Sequence, residues 1–193
     1  MYRVQIAQLF ANSGPYYTVP VTRGSPNPRF QRLPERLAKA RKVADLTRRA
    51  LEQKAGGTNG AILYIEEGRR VPTVETVARL AHALGVPAAW LAYGLGGMDA
   101  PGCDSTTLGM AARLLTVRAA QQLSRAELGR RTGLSPRAIA KIEAGGQSGV
   151  DVIELLAKAL RISPAWLAFN QGPQLLPVSR RGRPPAQSPA DAR

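Results

Sequence analysis

Side chains able to do covalent or metal chemistry are few in this chain and badly spaced for it. Cys103 is the one cysteine, so no internal disulfide can form. His82 is the one histidine and has no cysteine or carboxylate at ligand spacing. No nucleophile sits beside a base, no glycine loop is built to cradle phosphate, and no two carboxylates are set for acid–base work. Catalytic residues, metal ligands and cofactors are therefore not expected. Ionic chemistry remains. The 193 residues carry 27 Lys and Arg against 13 Asp and Glu, a net charge of +14. Residues 1–32, 33–98, 107–172 and 173–193 are each net basic, and only 99–106 is acidic. Such an excess, spread over modules and tails, suits a polyanionic partner. A membrane surface is the rival, but no basic amphipathic helix with aromatic anchors is visible and no segment is long and apolar enough to span a bilayer. The N-terminus lacks the sections of a secretory signal, so a cytoplasmic location is expected.

The elements that must position these charges occur twice. Residues 46–68 align without a gap on residues 123–145, 77 positions later. The copies keep Leu46/Leu123, Arg48/Arg125, Leu51/Leu128, Gly56/Gly133, Ile62/Ile139, Ile65/Ile142, Glu66/Glu143 and Gly68/Gly145. After a one-residue deletion, Leu80-Ala81 matches Leu156-Ala157 and Ala89-Trp90-Leu91 matches Ala165-Trp166-Leu167. One helical unit has been duplicated. In the second copy Met110, Leu114 and Val117 share a helical face, Ser124 with Glu127 predicts a capping box, and Gly133 supplies a left-handed turn. Ser135 caps the next helix and Pro136 fits its first turn, with Ile139 and Ile142 facing inward. A fourth helix over about 150–160 and a short fifth from Ser163-Pro164 complete the unit. The first copy predicts the same five helices, with caps at Thr47 and Thr58.

Two helices joined by a glycine turn, the second ending in Ile-Glu-x-Gly, resemble the lambda-repressor-like (Xre or Cro-like) helix-turn-helix family. The resemblance covers about 130 residues in two copies. It implies an all-α protein made of two tandem five-helix domains. In each, the third helix would enter the DNA major groove while the second crosses the backbone. The second domain's outward readers would be Ser135, Pro136, Arg137 and Lys141, with Arg137 able to meet a guanine edge in bidentate fashion. Arg48 and Arg125 occupy a family position that contacts phosphate. In the first domain the matching readers are Thr58, Asn59 and Tyr64, with Gly60 and Leu63 between them, and Arg69 and Arg70 follow. That helix departs from the pattern. Gly57 stands where an apolar residue is usual, Gly60 costs roughly 1 kcal/mol of helix propensity, and no basic residue faces out between Thr58 and Ile65. Arg41 with Glu66 and Arg118 with Glu143 are implied to be structural ion pairs, and Trp90 and Trp166 core residues.

The chain is thus divided into an N-terminal basic arm (1–32), domain 1 (33–98), an acidic linker (99–106), domain 2 (107–172) and a disordered Arg/Pro-rich tail (173–193). Within the tail, Arg180-Arg181-Gly182-Arg183-Pro184-Pro185 resembles the AT-hook, whose core lies in the A·T minor groove, so Arg181 and Arg183 join the candidate contacts. Twelve connector residues could reach about 40 Å, enough to set both modules on neighbouring half-sites of one duplex, and the unlike readers predict an asymmetric site. The expected function is a bacterial, sequence-specific double-stranded DNA-binding transcriptional regulator, usually a repressor in this family. Two alternatives stand beside it. One is a protein-interaction regulator of antitoxin or anti-activator type whose domain 1 holds a protein partner. The other is an architectural DNA-coating protein. A homodimer is left open.

Overall fold

The computed structural model describes residues 29–57, 60–100, 107 and 109–175. Within them lie ten α-helices and no strand, only an isolated antiparallel bridge between Thr73 and Gly149. A short 3₁₀ turn, Arg29–Arg32, leads into α1 (Leu33–Val43), α2 (Arg48–Lys54), α3 (Ala61–Glu66), α4 (Val74–Leu84) and α5 (Ala88–Tyr93). The second copy supplies α6 (Met110–Ala120), α7 (Arg125–Thr132), α8 (Pro136–Glu143), α9 (Val150–Leu160) and α10 (Pro164–Phe169). None of these helices is long and apolar enough to cross a membrane.

Local chemistry explains most boundaries. Thr47, Thr73, Ser124, Ser135 and Ser163 each accept a backbone N–H of the helix they precede, satisfying one of its orphan donors. The capping box expected at Ser124 is only half made. Its hydroxyl takes the Glu127 amide, but the Glu127 carboxylate turns away to Arg130 and Arg131. Gly133 ends α7 at φ +79°, where a side chain would be strained. The cap expected at Thr58 is displaced. Helix α3 begins only at Ala61, with Gly60 in its cap position at φ +85°, while Thr58 and Asn59 lie outside the described residues.

Met110, Leu114, Val117, Ile139, Ile142, Ile153, Leu156 and Leu160 are buried as their spacing predicts. Trp90 is buried too, whereas Trp166 is only half-buried, with the Arg113 guanidinium 6.0 Å from its ring centroid. Arg113 and Arg36 hold the same place in the two copies. Each donates to the last carbonyls of the fifth helix of its module: Arg36 to Leu91 and Ala92, Arg113 to Leu167 and Ala168. Burial lowers the Arg36 guanidinium pKa to about 10.

The two modules share one apolar core. Their contact is nearly self-reciprocal. Val74 N–H donates to Ser148 O at 3.0 Å, and Val150 N–H donates to Pro72 O at 3.2 Å. Pro72/Ser148, Thr73/Gly149 and Val74/Val150 are matching positions of the repeat, so a pseudo-twofold axis passes through the Thr73–Gly149 bridge. Tyr93 and Phe169, another matching pair, meet with ring centroids 6.2 Å apart, and Tyr93 Oη donates to Val150 O. One-sided bonds complete the contact. Glu154 accepts the Arg29 and Phe30 amides, Gln147 donates to Glu75, and Gln171 accepts the Ala89 amide. The relation between the modules is therefore set by this packing, not by the reach of the connector expected from its length.

Candidate nucleic-acid interface

In module 2 the sharp turn between α7 and α8 depends on Gly129, which sequence reasoning passed over. A Cβ there would sit 2.5 Å from Leu134 O, so only glycine lets the two helices close on each other. Helix α8 then runs for eight residues from Pro136, burying Ile139 and Ile142 and exposing Pro136, Arg137 and Lys141. Ser135 is exposed, but its hydroxyl is engaged by the Ala138 amide at 3.1 Å; its first job is to cap. Arg137 and Lys141 are one helical turn apart, so their charged ends share a face.

Behind that face stands a three-membered ion cluster. The Glu143 carboxylate, 2% exposed, accepts Arg118 Nε at 2.5 Å and Arg125 Nε at 2.7 Å. Arg118 also donates to Leu123 O, which ties α6 to the start of α7. Burial alone would push the Glu143 carboxyl up. The hydrogen bonds and charges of Arg118 and Arg125 outweigh that and hold it below the usual carboxylate range. Module 1 repeats the cluster with Arg41, Glu66 and Arg48, the two arginines each 2.6 Å from the carboxylate, and Glu66 is lowered for the same reasons. Arg48 and Arg125 are thus anchored at Nε while about half of each side chain remains in water. The expected structural pairs Arg41–Glu66 and Arg118–Glu143 are present, each with a third member that sequence reasoning had treated separately.

Module 1 solves its turn differently. Glu52 occupies the place of Gly129, is buried, and its Oε1 accepts the Ile62 amide at 3.0 Å. A carboxylate, not a hydroxyl, therefore seals the start of α3, which is six residues long against eight in α8. Gly60 takes the place of Arg137 and lies off the helix; half-buried Leu63 and exposed Tyr64 take those of Ala140 and Lys141. Arg69 and Arg70 are exposed beyond α3, Arg69 pairing with Glu67 at 3.1 Å. Arg181 and Arg183 of the AT-hook-like segment lie outside the described residues.

Two helix-turn-helix units, each with a basic second-helix start and the second with an exposed basic pair on its third helix, define a DNA-binding regulator. Residues 35–96 match a family model described as a helix-turn-helix domain, and residues 114–167 match another described as helix-turn-helix. The chain belongs to the lambda-repressor-like, Xre-type helix-turn-helix family, in two tandem copies. No solved structure matches it at a significant level.

Proposed function

We propose that the chain is a sequence-specific double-stranded DNA-binding transcriptional regulator, a repressor, which carries both halves of its DNA-binding assembly in one polypeptide. The observation that supports this best is the exposed pair Arg137 and Lys141 on α8, held by a rigid turn and backed by the Glu143 cluster. A bidentate arginine at a guanine edge supplies base preference, while Arg125, exposed at the first turn of α7, serves a phosphate without reading sequence. Arg48 of module 1 serves another phosphate, and Arg69 and Arg70 add backbone charge. Occupation of a promoter by such a body would block polymerase. The binding unit is a single chain, because the face that would pair two separate modules is used within the molecule.

The test is selection from randomised duplex DNA at about 150 mM salt, with intact protein and with Arg137→Ala. Enrichment of a motif that the substitution degrades is the expected result. Recovery of no motif, with affinity governed by salt alone, would replace this function with general coating of DNA.

A further inference from the structure

From the inequality of the two turns we infer that base reading is confined to module 2, and that module 1 is a phosphate-holding clamp that reads no bases. The target is then a duplex with one specified half and one unspecified half. This rests on the DNA-binding function proposed above and names how that function is divided.

Three independent features of α3 carry the inference. First, its N-terminus is closed from inside. The buried Glu52 carboxylate takes the Ile62 amide and offsets the positive end of the helix dipole, so the amides that could meet a DNA phosphate face a fixed negative charge. Module 2 has Gly129 at that place and a neutral hydroxyl cap, leaving the α8 N-terminus uncompensated. Second, the position that presents Arg137 in module 2 is Gly60, with no side chain and a left-handed backbone outside the helix. Third, the position of Lys141 is Tyr64 and that of Ala140 is Leu63, which offer a ring and an aliphatic chain but no bidentate donor. The cations of module 1 instead lie around the helix: Arg48 and Arg49 at the start of α2, and Arg69 and Arg70 beyond the end of α3. Cations at the periphery and none on the reading face describe contact with backbone charge.

The experiment uses the full chain and a duplex carrying its selected motif, extended on the side occupied by module 1. Randomising the half read by module 2 should weaken binding 100-fold or more, about 2.7 kcal/mol. Randomising the other half should change it less than threefold. Cutting the duplex short on that side, which removes phosphates but no required base, should weaken binding at least tenfold. Asn59→Ala and Tyr64→Ala should leave the selected motif unchanged. Comparable losses on randomising either half, or a motif position lost with Asn59→Ala or Tyr64→Ala, would overturn the division while leaving sequence-specific binding intact. No loss on shortening would overturn it too, by taking module 1 off the DNA and making its face available to a protein. No loss on randomising either half would instead remove the function on which the inference rests.

Discussion

Arg137 and Arg125 are both exposed arginines near the same turn, yet the proposed function gives them different jobs. Arg137 projects from the second position of α8, past its proline, whereas Arg125 is held at Nε by a buried carboxylate. Arg137→Ala should cost about 1–3 kcal/mol on the selected site and far less on random DNA. Arg125→Ala should lower affinity on both alike and make its dependence on salt shallower by about one phosphate contact. Titration of each variant against specific and random duplex at several salt concentrations separates the two. Equal losses for Arg137→Ala would remove it as a reader.

At the scale of elements, each second-to-third helix turn hangs on one residue. Gly129→Ala places a methyl group against Leu134 O, so α7 and α8 must part, and melting should show a loss of about 2 kcal/mol or more. In module 1 the matching residue is a cap, and Glu52→Ala should cost about 1 kcal/mol, with weaker hydrogen-exchange protection confined to α3. The ion clusters predict a dependence on acidity. Glu66 and Glu143 titrate lower when folded than when unfolded, so the stability they confer is full above the unfolded carboxylate pKa and is lost as pH falls through the folded one. Asp151 acts oppositely, because burial raises its carboxyl and makes its folded-state contribution shrink as pH rises. Glu143→Gln should flatten the acid limb of a stability profile and lower the plateau above it. Much of this was legible beforehand. Apolar periodicity, hydroxyl caps and the glycine at 133 announced five helices per copy because each is a local signal. Glu52 was not legible, since a carboxylate in mid-helix reads as a solvated charge until the turn folds it inward. Gly129 gave no signal of its own, because its importance lies in the distance to a carbonyl of the next element. The start of α3 is hidden in the sequence for a related reason: Gly60 stands at its N-cap, and the side chain that takes the Ile62 amide comes from α2.

At the scale of the molecule, the sequence showed two copies but not how they meet. The contact is built from residues that look like ordinary core positions of each copy, such as Tyr93 and Phe169, whose partners lie 76 residues away. Phe169→Ala empties a fully buried site at this contact and should cost about 3–5 kcal/mol, felt by both modules in a single broadened or shifted transition. Melting followed separately at Trp90 and Trp166 would detect it; a change limited to one module would show that the two fold independently. The contact also alters how binding depends on dose. Occupancy should follow a simple hyperbola in total chain, with no lag for assembly. The pseudo-twofold joint also bears on inheritance. When two identical chains pair, a change in the reading helix appears on both sides at once, and any target must change in two places to follow it. Here the two third helices are encoded separately, so Glu52 and Gly60 can stand on one side while Gly129 and Arg137 stand on the other. Duplication inside one chain has released the halves from having to agree, and a molecule so built can hold its DNA pointing in a defined direction.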